Sequence, residues 1–176
     1  MRIANGYTFF YGSSEPFSNW FKARFVEDAE SAGSVAFPTS EHYMMYRKAL
    51  HFGDAAMAAR IVQSADPRQA KALGRQVAGF VEQEWNRVCR GYVYRGCRLK
   101  FTQNPAAQAA LLATRGTQLV EASPTDRIWG VGLSERDGRI LDPAHWRGSN
   151  WLGQVLTALR EDLLVPGSPQ ERQHWD

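Results

Sequence analysis

The stretch Pro38-Thr39-Ser40-Glu41-His42-Tyr43-Met44-Met45-Tyr46-Arg47-Lys48-Ala49-Leu50 brings an acid, an amine and aromatic rings into one short segment. A proline followed by Thr39 or Ser40 is a typical helix start, because a hydroxyl side chain satisfies a free backbone N–H of the first turn. The residues that follow are mostly good helix formers. We therefore predict a helix over this segment, in which Glu41 and Lys48, at i and i+7, lie on one face.

This helix face has two interpretations. In the first, Glu41 favours the positive end of the helix and Lys48 is a solvated surface charge. In the second, both side chains are buried and perform chemistry. Of the 21 Lys and Arg residues only four are Lys, at positions 22, 48, 71 and 100. An amine at position 48 hints at the second interpretation, because an amine can lose its proton and a guanidinium cannot. Lys71 and Lys100 require no such explanation.

The composition is that of one soluble domain. The chain has 176 residues, of which 44% are hydrophobic and 22% charged, enough for one core and too few for two domains of ordinary size. We place the domain at residues 1–164 and a flexible tail at residues 165–176. No run of roughly 18 apolar residues is present, and residues 1–6 lack the apolar core of a secretion signal. We therefore expect a cytoplasmic protein that does not associate with membranes.

The cysteines and histidines predict no special chemistry. Cys89 and Cys97 are eight residues apart in a predicted helix, about 12 Å along its axis, which is too far for a disulfide. We expect both thiols to be reduced. The Cys and His residues have no metal-ligand spacing, so we predict neither a metal nor another cofactor.

The charge pattern leaves the class of ligand open. A net charge of +3 is compatible with a small anion or with nucleic acid and requires neither. Four arginines recur along one predicted helix and could contact phosphates, although a charged helix face is more often only solvated. They are Arg87, Arg90, Arg95 and Arg98.

The first part of the chain predicts strands. Three short β-prone segments precede the opening helix, and we expect them to form one small antiparallel sheet. They are residues 7–11, 23–27 and 34–37.

Helices follow in the middle of the chain. Asp54 and Asp66-Pro67 are helix starts, and a helical period of apolar residues from about Phe80 to Thr102 predicts the longest helix, which Asn104-Pro105 ends. Pro105 opens a further helix, and residues 117–122 predict a short strand.

The last part combines a long loop with one helix. Residues 123–148 lack periodicity but contain turn residues, which indicates a structured loop of the kind that often carries function. Ser149 or Asn150 is expected to cap the final helix, in which a leucine stripe faces the core. The fold class is therefore α+β and mostly helical.

Several spaced motifs together resemble the NADAR family, also called YbiA-like proteins. The resemblance extends from about Phe10 to Leu164 and includes FSN at 17–19, TSEHYMMYRKA at 39–49, DPRQAKALGR at 66–75, VEASPTDRIWGVGL at 120–133 and GSNWLG at 148–153. It implies a mostly helical α+β fold and an enzyme that hydrolyses an N-glycosidic bond to ribose. Members of this type act on phosphorylated riboflavin-pathway intermediates, while others remove ADP-ribose from guanine in nucleic acid.

The resemblance also implies a set of site residues. Glu41 and Asp126 are the candidate carboxyl groups, which would protonate the departing nitrogen and stabilise positive charge on the sugar. In one route they assist direct attack by water. In the other, which we prefer, Lys48 attacks C1 as a neutral amine and forms an imine that water hydrolyses. That route requires burial to lower the pKa of Lys48, since Arg47 points away on a helix.

Further residues are expected to bind the substrate. Trp129 or Tyr43 is expected to stack on the base, Asn19 and Asn150 to hold ribose hydroxyls and Arg75 to contact a phosphate. The neighbouring motif residues complete the predicted binding set, which also contains Ser18, Glu121 and Gly130.

Three functions of different class remain open. The first is an N-glycosidase that destroys phosphorylated ribosylamino-pyrimidines, so that the partner is a small ribosyl phosphate. The second is a glycohydrolase that removes ADP-ribose from guanine in DNA, for which binding would depend strongly on salt. The third is a module that binds NAD or ADP-ribose without cleaving it.

Overall fold

The computed structural model describes residues 1–29 and 33–165. These residues contain five strands, numbered here in chain order: β1 (Arg2–Ala4), β2 (Tyr7–Phe10), β3 (Phe25–Ala29), β4 (Gly33–Phe37) and β5 (Gln118–Glu121). They also contain six α-helices: α1 (Ser40–His51), α2 (Ala55–Val62), α3 (Pro67–Gly74), α4 (Glu82–Gln103), α5 (Pro105–Leu112) and α6 (Trp151–Leu164). The α+β, mostly helical fold class is confirmed. The described residues divide into two compact units, residues 1–18 with 105–165, and residues 19–104.

The first unit is built on a three-stranded sheet. β1 pairs antiparallel with β2, and β2 pairs parallel with β5, so that Thr8 lies opposite Leu119. α6 packs on β5, and α5 packs on α6. One core cluster of this unit contains Phe9, Val120, Ala122, Val131, Leu133 and Ile140. The first unit therefore holds the long loop of residues 123–148 against its sheet through Val131, Leu133 and Ile140.

The second unit combines a hairpin with four helices. β3 and β4 pair antiparallel, with Phe25 opposite Phe37. α1 packs against α2, α3 and α4. The segment Pro38–Leu50 thus lies at the centre of its unit, because three helices and the hairpin contact the helix that it forms.

The prediction of one small antiparallel sheet is wrong. The strand at residues 7–10 belongs to the first unit, whereas the other two predicted strands form a separate hairpin. The first sheet also contains a parallel pair and an additional strand, β1. A parallel pair needs a long connection, and residues 11–117 provide it here. Pairing over that sequence distance is not visible in local patterns.

Helix starts agree closely with the sequence predictions. The Asp54 side chain accepts hydrogen bonds from Met57 N at 3.0 Å and from Ala78 N at 2.9 Å, and Asp66 accepts one from Gln69 N at 2.9 Å. The longest helix starts at Glu82, two residues later than predicted. Phe80 therefore lies in the segment that connects α3 to α4.

Two further predictions are settled by the structure. Cys89 and Cys97 are free and buried, and burial raises the pKa of each thiol to about 11. The loop at 123–148 is structured, with 3-10 helices at Gly138–Leu141 and Pro143–His145.

The tail predicted at residues 165–176 lies outside the described residues from position 166 onward. No helix in the described part of the chain is long and apolar enough to cross a bilayer.

Candidate active site

Hydrogen bonds within the first turn of α1, and from that turn to Ser64 and Asn19, fix the start of the helix. Thr39 is the N-cap, and its hydroxyl accepts from His42 N at 3.4 Å and lies 2.8 Å from His42 Nδ1. The other ring nitrogen of His42 lies 3.3 Å from the carbonyl oxygen of Ser64. Glu41 N donates to the carbonyl oxygen of Asn19 at 2.9 Å. Asn19 is therefore held at the first turn of the helix that carries Glu41.

The Glu41 side chain is almost completely enclosed. The residue is 2% exposed and lies in the first turn of α1. Lys48 lies in the last turn of the same helix and is 9% exposed. The interpretation of Lys48 as a solvated surface charge is therefore wrong, and the expectation that both side chains are buried is confirmed.

The environment of Lys48 changes its protonation. Its Nζ donates to the carbonyl oxygen of Gly74 at 2.9 Å and lies 3.8 Å from the centroid of the Phe80 ring. Burial, and then the positive charge of Arg75, lower the pKa of Lys48. Both effects disfavour the charged form of the amine. Lys48 therefore has a larger neutral, nucleophilic fraction than an exposed lysine at the same pH.

Tyr43 is a core residue and not a stacking residue. It is completely buried, and its ring packs on Phe25 and Phe37 with centroids 5.8 and 5.1 Å away. Its hydroxyl donates to Glu27 at 2.9 Å and accepts from Arg47 Nε at 3.1 Å. A ring enclosed in this way offers no face to a ligand, so the predicted base stacking by Tyr43 is corrected to a packing role.

A buried ion-pair network holds the opposite side of α1. Glu27 on β3 forms ion pairs with Arg47 of α1 and with Arg95 of α4, the second at 2.9 Å. Burial is the main cause of the raised pKa of the Tyr43 hydroxyl in the same network. One of the four arginines that could contact phosphates is thus already paired with a carboxylate.

In the first unit, Asp126 organises the loop that carries Trp129. One carboxylate oxygen of Asp126 accepts from Ile128 N at 2.9 Å and from Trp129 N at 2.8 Å. Ser123 Oγ accepts from Asp126 N at 3.1 Å. These contacts give Asp126 a structural role as a loop cap. Its predicted catalytic role stays a prediction.

The predicted ribose contact by Asn150 is replaced by a structural one. Asn150 is completely buried, its Oδ1 accepts from Glu121 N at 3.0 Å and its Nδ2 donates to the carbonyl oxygen of Leu119 at 3.0 Å. It precedes α6 with a left-handed backbone, φ 53°, and makes no side-chain cap. Its amide therefore joins α6 to β5, with both polar atoms occupied.

Two of the other predicted binding residues of this unit, Glu121 and Gly130, lie at the end of β5. The carbonyl oxygen of Glu121 accepts from Val131 N at 3.0 Å, and that of Gly130 accepts from Asn150 N at 3.2 Å. A Cβ at Gly130 would lie 2.9 Å from the Glu121 oxygen, which explains the glycine. Trp129 is half-buried and packs edge-on against Trp151 at 5.8 Å. Ser18 is buried in this unit. The binding roles of Trp129, Glu121, Gly130 and Ser18 stay predictions.

The comparison with known families decides the assignment of the chain. The profile of the NADAR domain matches residues 9–164. The chain belongs to the NADAR family.

Relatives in this family include proteins with named activities. The chain is 37% identical to N-glycosidase R617 of Acanthamoeba polyphaga mimivirus, over 89% of this chain and 95% of the relative. It is 30% identical to N-glycosidase YbiA of Escherichia coli K12, over 89% of this chain and 88% of the relative. It is also 34% identical to the maize chloroplastic riboflavin biosynthesis protein PYRR, over 88% of this chain but 24% of the maize protein.

The fold agrees with a solved NADAR structure. The NMR structure of E. coli YbiA superimposes with a TM-score of 0.73 at 28% identity, covering 98% of this chain and 94% of YbiA. The likeness extends over the motifs on which the resemblance was based.

Two residues of the second unit were missed by sequence reasoning. Phe80 was assigned to the longest helix, yet its ring lies directly on the Lys48 amine. Lys100 is completely buried, and its Nζ lies 5.5 Å from the Phe21 centroid and 5.1 Å from that of Phe101. Burial lowers the pKa of Lys100 to about 8. The view that Lys100 requires no explanation is therefore wrong, because burying an amine is costly.

The second unit of this NADAR chain offers an acid, an amine and a guanidinium as candidate functional groups, on Glu41, Lys48 and Arg75. Within residues 1–29 and 33–165, no three His, Cys, Asp or Glu side chains are placed to hold a metal ion. The catalytic roles of Glu41 and Lys48 and the phosphate contact of Arg75 stay predictions.

Proposed function

We propose that this protein hydrolyses the ribose C1–N bond of phosphorylated ribosylamino-pyrimidines, intermediates of riboflavin synthesis, and so removes them before they damage other molecules. The general activity follows from the family, since the chain is 30–37% identical to two proteins named N-glycosidase over most of its length. It is a hydrolase that acts on N-glycosyl bonds. The substrate class is supported by the similarity to a region of a maize protein named for riboflavin biosynthesis.

The observation that carries the mechanism is the state of the Lys48 amine. Lys48 is enclosed, its pKa is lowered by burial and by Arg75, and a hydrogen bond to Gly74 O fixes its position. Only a neutral amine attacks carbon, and lysines that form imines are desolvated or placed beside another cation. Both conditions hold at Lys48.

The reaction proceeds through the ring-opened sugar, whose C1 is joined to the pyrimidine amine. The ring oxygen takes up a proton from water as the ring opens. Lys48 Nζ then adds to C1 and returns a proton to water, so that C1 carries two nitrogens. The Glu41 carboxyl group protonates the pyrimidine nitrogen, the C1–N bond breaks, and its electron pair leaves with the pyrimidine amine. The sugar remains on Lys48 as a protonated imine.

Water completes the cycle. It adds to C1 and passes a proton to the Glu41 carboxylate, and the carbinolamine then collapses to release the sugar aldehyde and the free Lys48 amine. The net change is one bond hydrolysed by one water molecule. Glu41 serves first as an acid and then as a base, as a single carboxyl group does in retaining glycosidases.

The phosphate of the substrate has a candidate partner in the same unit. Arg75 caps the end of α3, is exposed, and lies close enough to Lys48 for its charge to lower the amine pKa. A phosphate bound to Arg75 would bring a sugar within reach of that amine. Asn19, whose carbonyl oxygen binds the first turn of α1, is the candidate for the sugar hydroxyls.

A comparison of substrates tests the proposal. The purified protein is incubated separately with ribosylamino-pyrimidine phosphates, NAD, ADP-ribose and ADP-ribosylated DNA, and released bases are identified by mass spectrometry. The proposal predicts release of the pyrimidine amine, and loss of that release in a Glu41→Gln variant purified in parallel. Release of ADP-ribose from DNA, with steeply salt-dependent binding, would replace it with the second function. Ligands that bind and stay intact overnight would indicate a binding module.

A further inference from the structure

The Lys48 amine is covered by an aromatic ring. Phe80 lies with its centroid 3.8 Å from Nζ, while Gly74 O accepts a hydrogen bond from the same atom at 2.9 Å. A reacting carbon must come within about 3–3.5 Å of a nucleophile. No carbon can occupy that distance on the side of Nζ where the ring lies. An approach from that side requires the ring to move.

The Phe80 side chain is placed to move. The residue is 42% exposed and lies between α3 and α4, outside regular secondary structure. Its ring meets Phe52 edge-on, with centroids 5.4 Å apart and an interplanar angle of 73°. The edge-on pair is a weak contact, so the cation–π contact with the enclosed amine is the main one that holds the ring. The ring can therefore leave Lys48 without disrupting a packed core.

The backbone beside this ring is held in place. Asp54 accepts a hydrogen bond from Ala78 N at 2.9 Å while also capping α2, so the connecting segment is tied to the start of that helix. Gly79, between Ala78 and Phe80, has a positive φ of 70°. The conformation of the segment favours a rotation of the Phe80 side chain over an opening of the whole segment.

We propose that Phe80 is a specificity-determining residue which covers the Lys48 amine and which a substrate must displace before a bond to Nζ forms. A cation–π contact favours the ammonium, so the resting amine is shielded from carbonyl compounds in solution. A ligand that displaces the ring removes this contact and leaves the amine in a desolvated position. The importance of the cover for catalysis rests on the proposed function, whereas the cover itself can be tested without any activity.

Site-resolved labelling tests the cover. Wild type, Phe80→Ala, Phe80→Leu and the neighbouring control Val81→Ala are methylated with formaldehyde and dimethylamine–borane, and the rate at each lysine is measured by peptide mass spectrometry. Rates are measured from about pH 7 to pH 10.5 and extrapolated to the neutral amine, so that differences in protonation do not contribute. The exposed Lys22 is the internal reference.

The cover predicts slow labelling of Lys48 in wild type and an increase of roughly tenfold in Phe80→Ala, with Lys22 unchanged, because in wild type the ring must leave its contact with Phe52 before the reagent reaches Nζ. Phe80→Leu should give a smaller increase, and Val81→Ala none. Labelling of Lys48 at the rate of Lys22 in wild type, or equal rates in wild type and both Phe80 variants, would overturn the proposal. If labelling behaves as expected and no substrate is cleaved, the cover stands and the proposed function fails.

Discussion

Lys48 Nζ donates a hydrogen bond to the carbonyl oxygen of Gly74 at 2.9 Å, which joins the last turn of α1 to the last residue of α3. The contact explains why the amine lies beside Arg75, the residue that follows Gly74. It also fixes the amine within its unit, because α3 packs against α1. A nucleophile held in one position loses less entropy in the transition state than a mobile side chain.

Glu41 and Glu27 are both buried, and we predict that the first serves catalysis and the second stability. Glu41→Gln is expected to lower kcat by roughly 10²–10⁴-fold, because the amide cannot donate a proton to the departing nitrogen and take one back from water. Its melting temperature should stay close to that of wild type. Steady-state kinetics and calorimetry on one preparation provide both values.

The matched control is Glu27→Gln, which removes the charge that pairs with Arg47 and Arg95. This variant should lose roughly 1–3 kcal/mol of unfolding free energy and keep its kcat at temperatures where it is folded. A full kcat in Glu41→Gln would remove Glu41 from the mechanism.

Gly96 is required by the close approach of α4 to α1. A Cβ at this position would lie 2.5 Å from Cδ1 of Tyr43, a ring that the core holds in place. Gly96→Ala should therefore destabilise the protein by roughly 1–3 kcal/mol. Gly91 lies on the same helix with nothing within 4 Å of such a Cβ, so Gly91→Ala should stabilise by about 0.5–1 kcal/mol. Urea denaturation measures both, and equal effects would contradict the packing described.

Asn150 is expected to matter for stability and not for binding. Asn150→Ala removes two hydrogen bonds of a buried side chain, leaves Glu121 N and Leu119 O without this partner, and should cost roughly 2–4 kcal/mol of unfolding free energy. Gln154→Ala, which removes an exposed hydrogen bond on the same helix, should change stability by less than about 0.5 kcal/mol. KM and kcat of folded Asn150→Ala should match wild type. A raised KM with an unchanged melting temperature would instead indicate that Asn150 binds the ribose.

The buried amine of Lys100 predicts a pH dependence of stability. Its pKa is about 8 in the folded state because of burial, below the value of about 10.4 in an unfolded chain. Between these values the unfolded state binds more protons, so the free energy of unfolding rises with pH. The burial penalty is fully present below about pH 8 and is relieved as the pH approaches 10.

The variant Lys100→Met lacks this titration and isolates its effect. The difference in unfolding free energy between wild type and Lys100→Met should change in favour of wild type by on the order of 2–3 kcal/mol from pH 7.5 to pH 10. Guanidinium denaturation at four pH values measures it. Parallel curves for the two proteins would show that Lys100 does not titrate in this range.

The sequence predicted local structure better than the contacts between elements. Asp54, Asp66 and Pro67 mark helix starts because capping depends on neighbouring residues, and the structure has helices there. The partners of the strand at residues 7–10 were not predictable from local patterns. One of them, β5, lies more than 100 residues away along the chain, and packing selects it. Sheet pairing therefore had to come from the structure.

The site shows the same division between local and distant information. Lys48 was identified mainly because the spaced motifs resemble the NADAR family, since an amine in a chain with only four lysines is a weak hint by itself. The lowered pKa of Lys48 agrees with the burial that its predicted role requires. Tyr43 and Asn150 were misassigned because aromatic and amide side chains also serve the core, and a motif does not reveal which role applies. Phe80 could not be found, since its contact with Lys48 depends on where α4 begins.

The most direct test of the central claim is to trap the imine on Lys48. Protein and substrate are mixed with borohydride, and the peptide containing residue 48 is analysed by mass spectrometry in wild type and in Lys48→Arg. The mechanism predicts a reduced ribosyl adduct on Lys48 in wild type, no adduct at the other three lysines, and loss of turnover in Lys48→Arg, whose guanidinium does not become a neutral nucleophile. An unmodified Lys48 together with an active Lys48→Arg variant would contradict the account.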